Sequence, residues 1–154
     1  MNMQKLMNIL CSAACVLVMG GCAAPGMGGK EVLSTDQTYP AIGPYSQMIG
    51  HGRLIWFSGV IALNREGTAL QGTTTEEQTR ATLENIGLQL RSQGLDFVDV
   101  VSATVYMKDL NDFAAMNRVY GEYFRQAPPV RSTVEVARIP RDAKIEIAVV
   151  AARR

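Results

Sequence analysis

Residues 144–151, KIEIAVVA, constrain the fold of this chain more than any other segment. They have the composition of a β-strand that is apolar on both faces, with Glu146 as the one ionisable residue inside the run. A strand of this kind lies in the interior of a sheet and needs cover on each side. The rest of the chain must therefore supply helices for at least one of those sides.

Two amphipathic segments predict helices that can cover one face of a sheet. At the start of the first helix, Thr74 with Glu77, or Thr75 with Gln78, has the spacing of a capping box. Apolar residues follow at steps of three and four, and Gly94 predicts the C-terminal end.

The second helix is predicted at residues 112–124, with Asn111 as its N-cap. Residues 127–129, Ala-Pro-Pro, cannot continue it. The buried face is predicted to consist of Phe113, Met116, Val119 or Tyr120, and Tyr123 or Phe124.

Four other segments have the pattern of strands: residues 47–49, 54–58, 100–107 and 132–137. The turn between the first two contains His51, which we expect to be solvated. The element order is two or three strands, a helix, a strand, a helix and two strands, which predicts an α+β domain with two helices on one face of a single sheet. The other face then stays apolar and uncovered, which favours oligomerisation without fixing the number of copies.

The composition excludes several classes of function. A chain of 154 residues suits one domain, and its net charge of +1 offers no electrostatic footprint for nucleic acid. His51 is the single histidine, and all three cysteines lie within the first 22 residues. We therefore expect neither a metal centre nor a disulfide in the domain.

The first 21 residues predict a signal peptide for export. Lys5 is the basic residue of a short polar start, and residues 9–19 form an apolar run that is too short to span a bilayer. Residues 18–22, VMGGC, resemble a bacterial lipobox, in which Cys22 is lipidated and becomes the new N-terminus. Ordinary secretion and no export at all are the alternatives.

The boundaries that follow are a flexible tether at residues 22–33 and a folded domain at residues 34–154. Ala23 is not the acidic residue that commonly retains lipoproteins in the inner membrane. We therefore predict a periplasmic lipoprotein of the outer membrane, which touches the membrane through its lipid anchor only. A cytoplasmic location follows instead if the leader is not functional.

Two charged residues on the last two strands are candidates for chemistry. Glu146 is either a buried carboxylate or a sheet-edge acid that reaches water. Arg131 follows a proline-restrained loop and is either a bidentate anchor for a small carboxylate or a surface arginine. Alternation places Thr133 on the same strand face as Arg131. A short connection predicts that the last two strands pair as a hairpin, which would bring guanidinium and carboxylate together.

Several stretches of the sequence resemble one known family. They are residues 41–47 (AIGPYSQ), 57–59 (FSG), 105–113 (VYMKDLNDF), 128–140 (PPVRSTVEVARIP) and 144–147 (KIEI). These motifs are similar, in order and spacing, to those of the RidA (YjgF) family, and the resemblance extends over residues 34–154.

The resemblance implies a chorismate-mutase-like protomer and a homotrimer whose sheets close a central barrel, with three sites at the subunit interfaces. It also implies 2-iminobutanoate/2-iminopropanoate deaminase activity, which is the hydrolysis of 2-imino acids or their enamine tautomers to 2-oxo acids and ammonia. The implied reaction uses no metal and no organic cofactor. The implied partners are the small-molecule substrate and further copies of the chain.

The resemblance also assigns roles to residues of this sequence. Arg131 would bind the substrate carboxylate, and Glu146 would position and activate the hydrolytic water. The other implied substrate-binding residues are Tyr45, Ser58, Gly59, Asn117 and Thr133.

One residue departs from the family pattern, because Val60 follows Gly59 where Gln is common, and this leaves the substrate range open. Two other functions remain as alternatives. One is a non-catalytic trimer of the cell envelope that binds small carboxylates or protects other molecules. The other is a holdase or RNA-cleaving protein, for which the sequence shows no basic or aromatic patch.

Overall fold

The computed structural model describes residues 29–154. The predicted signal peptide, Cys22 and residues 22–28 of the predicted tether lie outside this range. The described chain contains two helices, α1 (Thr75–Ser92) and α2 (Phe113–Tyr123). Its strands are β1 (Glu31–Leu33), β2 (Met48–His51), β3 (Leu54–Phe57), β4 (Val100–Met107), β5 (Val130–Glu135) and β6 (Ile145–Ala152).

The six strands form one mixed sheet in the order β1-β2-β3-β6-β4-β5. All neighbouring strands are antiparallel except β4 and β5, which are parallel. Both helices pack on one face of this sheet, and their apolar residues share one core with the inward side chains of the strands. The α+β prediction of a single sheet with two helices on one face is confirmed.

The sequence signals at the ends of α1 act as predicted. The Thr74 side chain accepts a hydrogen bond from the Glu77 N–H at 3.2 Å, and the Glu77 carboxylate accepts one from the Thr74 N–H at 3.0 Å. At the other end, Gly94 has a φ of +70°, which a residue with a side chain adopts only at a cost. The chain then turns away from the helix axis toward β4.

The start of α2 differs from the prediction. Asn111 lies in a short 3-10 turn, Leu110–Asp112, and Asp112 occupies the N-cap position. The Asp112 side chain does not cap the helix, because it accepts a hydrogen bond from the Thr75 hydroxyl instead. Phe113, which was predicted to be buried, is 40% exposed. The buried residues of this region are Met116, Val119, Tyr120 and Phe124.

The predicted hairpin of the last two strands is wrong. β5 pairs with β4 at the sheet edge, and β6 inserts between β3 and β4, so β4 separates the two strands. The connection contains a 3-10 turn, Pro140–Asp142, and is long enough to carry the chain across β4. β6 takes the central position because its inward residues are fully buried, whereas β5 is exposed at most positions.

The predicted tether extends too far toward the domain. Residues 31–33 form β1, which pairs with β2 in the register Val32↔Ile49. Leu33 packs against the core, and an ion pair joins Glu31 to Arg153. The sheet therefore includes residues 31–33, which the prediction assigned to the tether.

The second face of the sheet carries an apolar surface that neither helix covers. We call it the open face; the register places on it Val32, Ile49, Trp56, Val130, Val134, Ala148 and Val150. Trp56 is 41% exposed and Val130 is 73% exposed. A surface of this kind on one chain indicates a protein–protein interface.

Two general properties of residues 29–154 bear on function. No helix in this range combines the length and the apolar composition needed to cross a membrane. No three His, Cys, Asp or Glu side chains in the same range come together as metal ligands.

Candidate active site

Arg131 and Glu146 lie on opposite faces of the sheet. Glu146 alternates along β6 with Ile145 and Ile147, which are fully buried under the helices, so its side chain is on the open-face side. Arg131 is opposite Ala103, which is 2% exposed beneath the helices. A single protomer therefore separates the two predicted catalytic groups and places each in its own cavity.

The Glu146 cavity contains four of the predicted site residues. Its volume is about 440 Å³, and Glu146 shares it with Tyr45, Ser58 and Gly59. The remaining lining residues are Tyr39, Ile42, Ile61 and Pro140. None of these four was predicted as a site residue, although Ile42 and Pro140 lie in stretches that resemble the family.

The Glu146 side chain packs directly against the backbone of Gly59. A Cβ atom built on Gly59 would overlap Glu146 Oε1 and would lie 2.7 Å from Cδ. The Val60 N–H and C=O bond to Ile147, at 2.9 and 3.0 Å, and so hold the two segments together. Only glycine at position 59 leaves room for this carboxylate.

The surroundings of Glu146 favour its protonated form. The residue is half-buried, and no described residue forms an ion pair or a hydrogen bond with its carboxylate. Burial raises the pKa of Glu146 above its ordinary value. A carboxyl whose pKa is raised toward neutrality can both accept and return a proton.

Two hydroxyl groups beside Glu146 have defined hydrogen-bonding capacity. The Ser58 hydroxyl donates to the Ser46 carbonyl at 2.7 Å, so its oxygen is left to accept. The Tyr45 hydroxyl accepts from the Ile42 N–H at 3.2 Å, so its own proton is left to donate. Besides the Glu146 carboxylate, the cavity therefore offers one hydrogen-bond acceptor, the Ser58 oxygen, and one donor, the Tyr45 hydroxyl.

Tyr39 forms a fixed apolar wall of the same cavity. Its hydroxyl accepts from the Ile61 N–H at 3.1 Å and donates to the Ile61 carbonyl at 3.5 Å. Burial raises the pKa of Tyr39 to about 12. The Tyr39 hydroxyl is therefore neutral and satisfied, and the residue lines the same cavity as the carboxylate.

The Arg131 cavity lies under α2. Its volume is about 460 Å³, and Arg131 shares it with Asn117, another predicted site residue. The other lining residues are Tyr120, Gly121, Phe124, Pro128 and Pro129. Thr133 is on the same strand face as Arg131 but does not line this cavity, and its Oγ1 atom is buried without a hydrogen-bond partner among the described residues.

Aromatic rings hold the Arg131 guanidinium. Its Cζ atom lies 4.6 Å from the centroid of the Tyr120 ring and 5.8 Å from that of Phe113. Within the described residues the guanidinium forms neither an ion pair nor a hydrogen bond. Its N–H donors are therefore oriented and left for an external anion.

Acting on a small anion requires a cation to bind it and an acid–base group to transfer protons, and each cavity has one of the two. The Glu146 cavity has an acid–base group but no cation in its lining, and the Arg131 cavity has a cation but no acid in its lining. Val60, the residue that departs from the family pattern, contributes to neither, because its side chain is buried in the core and is 2% exposed. The two cavities are chemically complementary.

Comparison with known proteins identifies the family. The family model described as Endoribonuclease L-PSP matches residues 35–153. A RutC family protein of Pyrococcus abyssi is 45% identical over 122 residues, which cover 79% of this chain and 96% of that protein. The 2-iminobutanoate/2-iminopropanoate deaminase of Capra hircus is 40% identical over 123 residues, which cover 79% of this chain and 89% of that enzyme.

The solved structures agree with the sequence comparisons. The crystal structure of E. coli TdcF with bound serine matches with a TM-score of 0.76 and 35% identity, over 80% of this chain and 99% of that one. The chain belongs to the RidA/YjgF family, whose family model is described as Endoribonuclease L-PSP.

Proposed function

We propose that this protein hydrolyses 2-imino acids, or their enamine tautomers, to 2-oxo acids and ammonia, with 2-iminobutanoate and 2-iminopropanoate as substrates. The observation that carries the proposal is the complementarity of the two cavities, one with an unpaired carboxyl and the other with an oriented guanidinium. The deaminase from Capra hircus supports the choice of substrate class, since its sequence is 40% identical.

The proposed active form is a homotrimer in which the Glu146 cavity of one copy faces the Arg131 cavity of the next. Two features support this assembly. The open face is apolar and uncovered, as expected of a surface that lines a closed barrel of three sheets. The two charged groups also lie on opposite faces of one sheet, so a second copy has to supply the missing group.

In the proposed site, binding fixes the substrate through its carboxylate. Arg131 holds the two carboxylate oxygens with parallel N–H donors, and this sets which face of the imine carbon is exposed. Asn117, which lines the same cavity, is available to hydrogen-bond the imino group. The apolar wall formed by Tyr39 and Ile61 receives the methyl or ethyl group of the substrate.

The proposed chemistry uses Glu146 as the one acid–base group. Its carboxylate takes a proton from water as the water oxygen bonds to the imine carbon, and the C=N electron pair moves to nitrogen. The same carboxyl gives that proton to the nitrogen, which yields a neutral carbinolamine. In a second round of proton transfer, the Glu146 carboxylate takes the proton of the carbinolamine hydroxyl and delivers it to the amino group. The C–N bond then breaks, ammonia leaves and the C=O bond forms.

The experiment that tests the proposal measures imine hydrolysis directly. The purified full-length chain is added to 2-iminopropanoate generated freshly by an amino-acid oxidase or lyase, and its rate of ammonia release is compared with the spontaneous rate. We expect a clear acceleration that the Arg131→Ala, Glu146→Gln double variant loses. Equal rates for the double variant and the wild type would overturn the assignment.

A second candidate is a trimer that binds small carboxylates without turning them over. The bound serine in the structure of E. coli TdcF is the observation that favours it. Binding of serine or 2-oxobutanoate by calorimetry, together with no acceleration of imine hydrolysis, would select this candidate. Acceleration by the wild type would exclude it.

We also propose that the protein is exported and anchored by a lipid on Cys22. The support is the order of Lys5, the apolar residues 9–19 and the small residues before Cys22. In a bacterial host, labelled palmitate should enter the wild-type protein but not the Cys22→Ser variant, and fractionation should place the wild type in the outer membrane. Wild-type protein that carries no palmitate label and fractionates with the cytoplasm would contradict this proposal.

A further inference from the structure

We propose that Tyr120 is a positioning residue, which orients the Arg131 guanidinium for carboxylate capture through the face of its ring. The identity of the ligand rests on the proposed function, whereas the contact itself is a feature of the fold. From its spacing in the sequence, Tyr120 is predicted only as a candidate core residue of α2. The structure places its ring against the one cation of the Arg131 cavity.

The geometry of the contact favours Tyr120 over the other nearby ring. The Arg131 Cζ atom lies 4.6 Å from the Tyr120 centroid, well inside the range of about 6 Å over which a ring face attracts a cation. Phe113 is farther away, at 5.8 Å, and is 40% exposed, while Tyr120 is 6% exposed. Because the attraction strengthens when water is excluded, Tyr120 contributes more to holding the guanidinium.

The Tyr120 ring is itself held in place by further aromatic contacts. It stacks on Phe124 with centroids 4.3 Å apart and planes inclined by 25°. Phe124 in turn meets the edge of Phe97 at 5.2 Å. The stack of Tyr120 on Phe124 ties the orientation of the guanidinium to the packing of α2. Phe97, at the far end of this aromatic row, is only partly buried and does not meet the Tyr120 ring.

An aromatic support has a chemical advantage over a carboxylate at this position. An acidic partner would orient the guanidinium but would also neutralise it and occupy the N–H donors that the substrate needs. Within residues 29–154, Arg131 has no such partner. A ring face restrains the planar group and leaves its edge, with all of its N–H donors, available to an anion.

The ring, rather than the hydroxyl, is the part of Tyr120 that this role requires. Tyr120 Oη is buried and has no hydrogen-bond partner among the described residues. Burial raises the pKa of Tyr120 to about 12, so the hydroxyl stays neutral beside the guanidinium. Phenylalanine keeps the ring face and leucine removes it, which makes the two variants a matched pair.

The test compares Tyr120→Leu and Tyr120→Phe in the full-length protein. For imine hydrolysis we expect Tyr120→Leu to raise KM roughly 2- to 30-fold with kcat changed much less, because a misaligned guanidinium weakens carboxylate capture. The Kd of 2-oxobutanoate, a product that also carries the carboxylate, should rise by a similar factor in calorimetry. Tyr120→Phe should recover most of both affinities.

A structural control separates positioning from loss of packing. Phe97→Leu removes a ring from the same aromatic row, but Phe97 neither touches Arg131 nor lines the cavity. It should lower the thermal midpoint as Tyr120→Leu does and leave KM unchanged. An equal rise in KM for both variants would overturn the proposal, and so would a loss of affinity in Tyr120→Phe as large as in Tyr120→Leu.

The binding measurement distinguishes failure of this inference from failure of the proposed function. If the wild type hydrolyses no imine but binds 2-oxobutanoate more tightly than Tyr120→Leu does, the deaminase assignment fails and the positioning role stands. If the wild type is active and Tyr120→Leu matches it in KM and Kd, the positioning role fails alone. If the wild type neither acts on the imine nor binds the oxo acid, both fail.

Discussion

The carboxylate of Glu146 lies against the backbone of Gly59, with no space for a side chain between them. This contact places the one ionisable residue of a central strand at the wall of a cavity instead of in the core. It also makes an acid on β6 depend on a loop residue that follows β3. The positions of these two residues, rather than either one alone, define the Glu146 cavity.

Gly59→Ala should remove most of the activity. The new methyl group would overlap the Glu146 carboxylate, so the acid must rotate away from the position in which it meets water. We expect kcat/KM to fall by about 10²-fold or more, close to the effect of losing a general base. Steady-state imine hydrolysis with the purified protein measures this.

Gly94→Ala is the matched control for that variant. It forces alanine into a φ of +70° at the end of α1, which costs about 1 kcal/mol of stability. Gly94 lines neither cavity. A lower thermal midpoint with unchanged kcat/KM is expected, and a comparable loss of activity in both variants would mean that the Gly59 effect is one of stability.

Glu146→Gln should lower kcat by about 10²- to 10⁴-fold, since the amide cannot accept the proton of water. The same substitution should stabilise the protein at neutral pH. Burial raises the pKa of Glu146 in the folded state, so the wild type loses stability as pH rises through that pKa, and glutamine removes this loss. Denaturant unfolding at fixed protein concentration should show the gain at pH 8 and a smaller one at pH 4.

In the active pH range, the wild type should need Glu146 ionised. The acid limb of its kcat/KM profile, which reports the free enzyme, is therefore expected above the ordinary glutamate pKa of 4.5. A limb at or below that value would contradict a desolvated general base. A pH-independent advantage of Glu146→Gln in unfolding would show that the gain comes from packing.

Mixed assemblies test whether each active site spans two copies. We expect Arg131→Ala and Glu146→Gln subunits to be nearly inactive when alone, whereas a mixed trimer of the proposed form would contain one interface with an intact Glu146 facing an intact Arg131. Random mixing in equal amounts should restore about a quarter of the wild-type activity, because about three quarters of the trimers are mixed and each has one intact site. No recovery after refolding the two variants together would place both groups in a site of one chain.

Val134→Asp should prevent assembly. Val134 is 42% exposed on the open face, and a charge there would have to be buried at the interface. Val98→Asp is the comparison, because Val98 is 52% exposed but lies in the 3-10 turn Phe97–Asp99, outside the sheet. Sedimentation should report a trimer for Val98→Asp and a monomer or aggregate for Val134→Asp. If both variants form trimers, the open face is not part of the interface between subunits.

The helix α1 and the buried strand β6 could be predicted, because both depend on residues close together in the sequence. The capping box at Thr74 and Glu77 and the stop at Gly94 fix α1, and the apolar pattern of residues 144–151 fixes β6 in the interior. The pairing of strands depends on contacts between residues far apart in the sequence. The short connection between β5 and β6 therefore led to the wrong prediction that these two strands pair. Pro128, Pro129 and a largely exposed strand are features of a sheet edge, and they would have favoured the observed order.

The candidate site shows the same limit. The motifs predicted Glu146 and Arg131 as site residues. The expectation that a hairpin joins them is wrong, because β4 lies between β5 and β6 and the two side chains are on opposite faces of the sheet. Tyr39 and Tyr120 carry no motif signal of their own. Their importance comes from burial against a charged group, which only the assembled structure reveals.

The position of β1 in the sequence limits the distance between the domain and its proposed anchor. Residues 23–30 separate Cys22 from Glu31, and nine fully extended steps along the chain reach about 31 Å. On a lipidated protein the sheet edge formed by β1 would therefore stay within one small-domain diameter of the bilayer surface. In the proposed trimer, three such attachments would keep the assembly next to the leaflet, and its substrate would have to reach it through the layer of solvent beside the lipid headgroups.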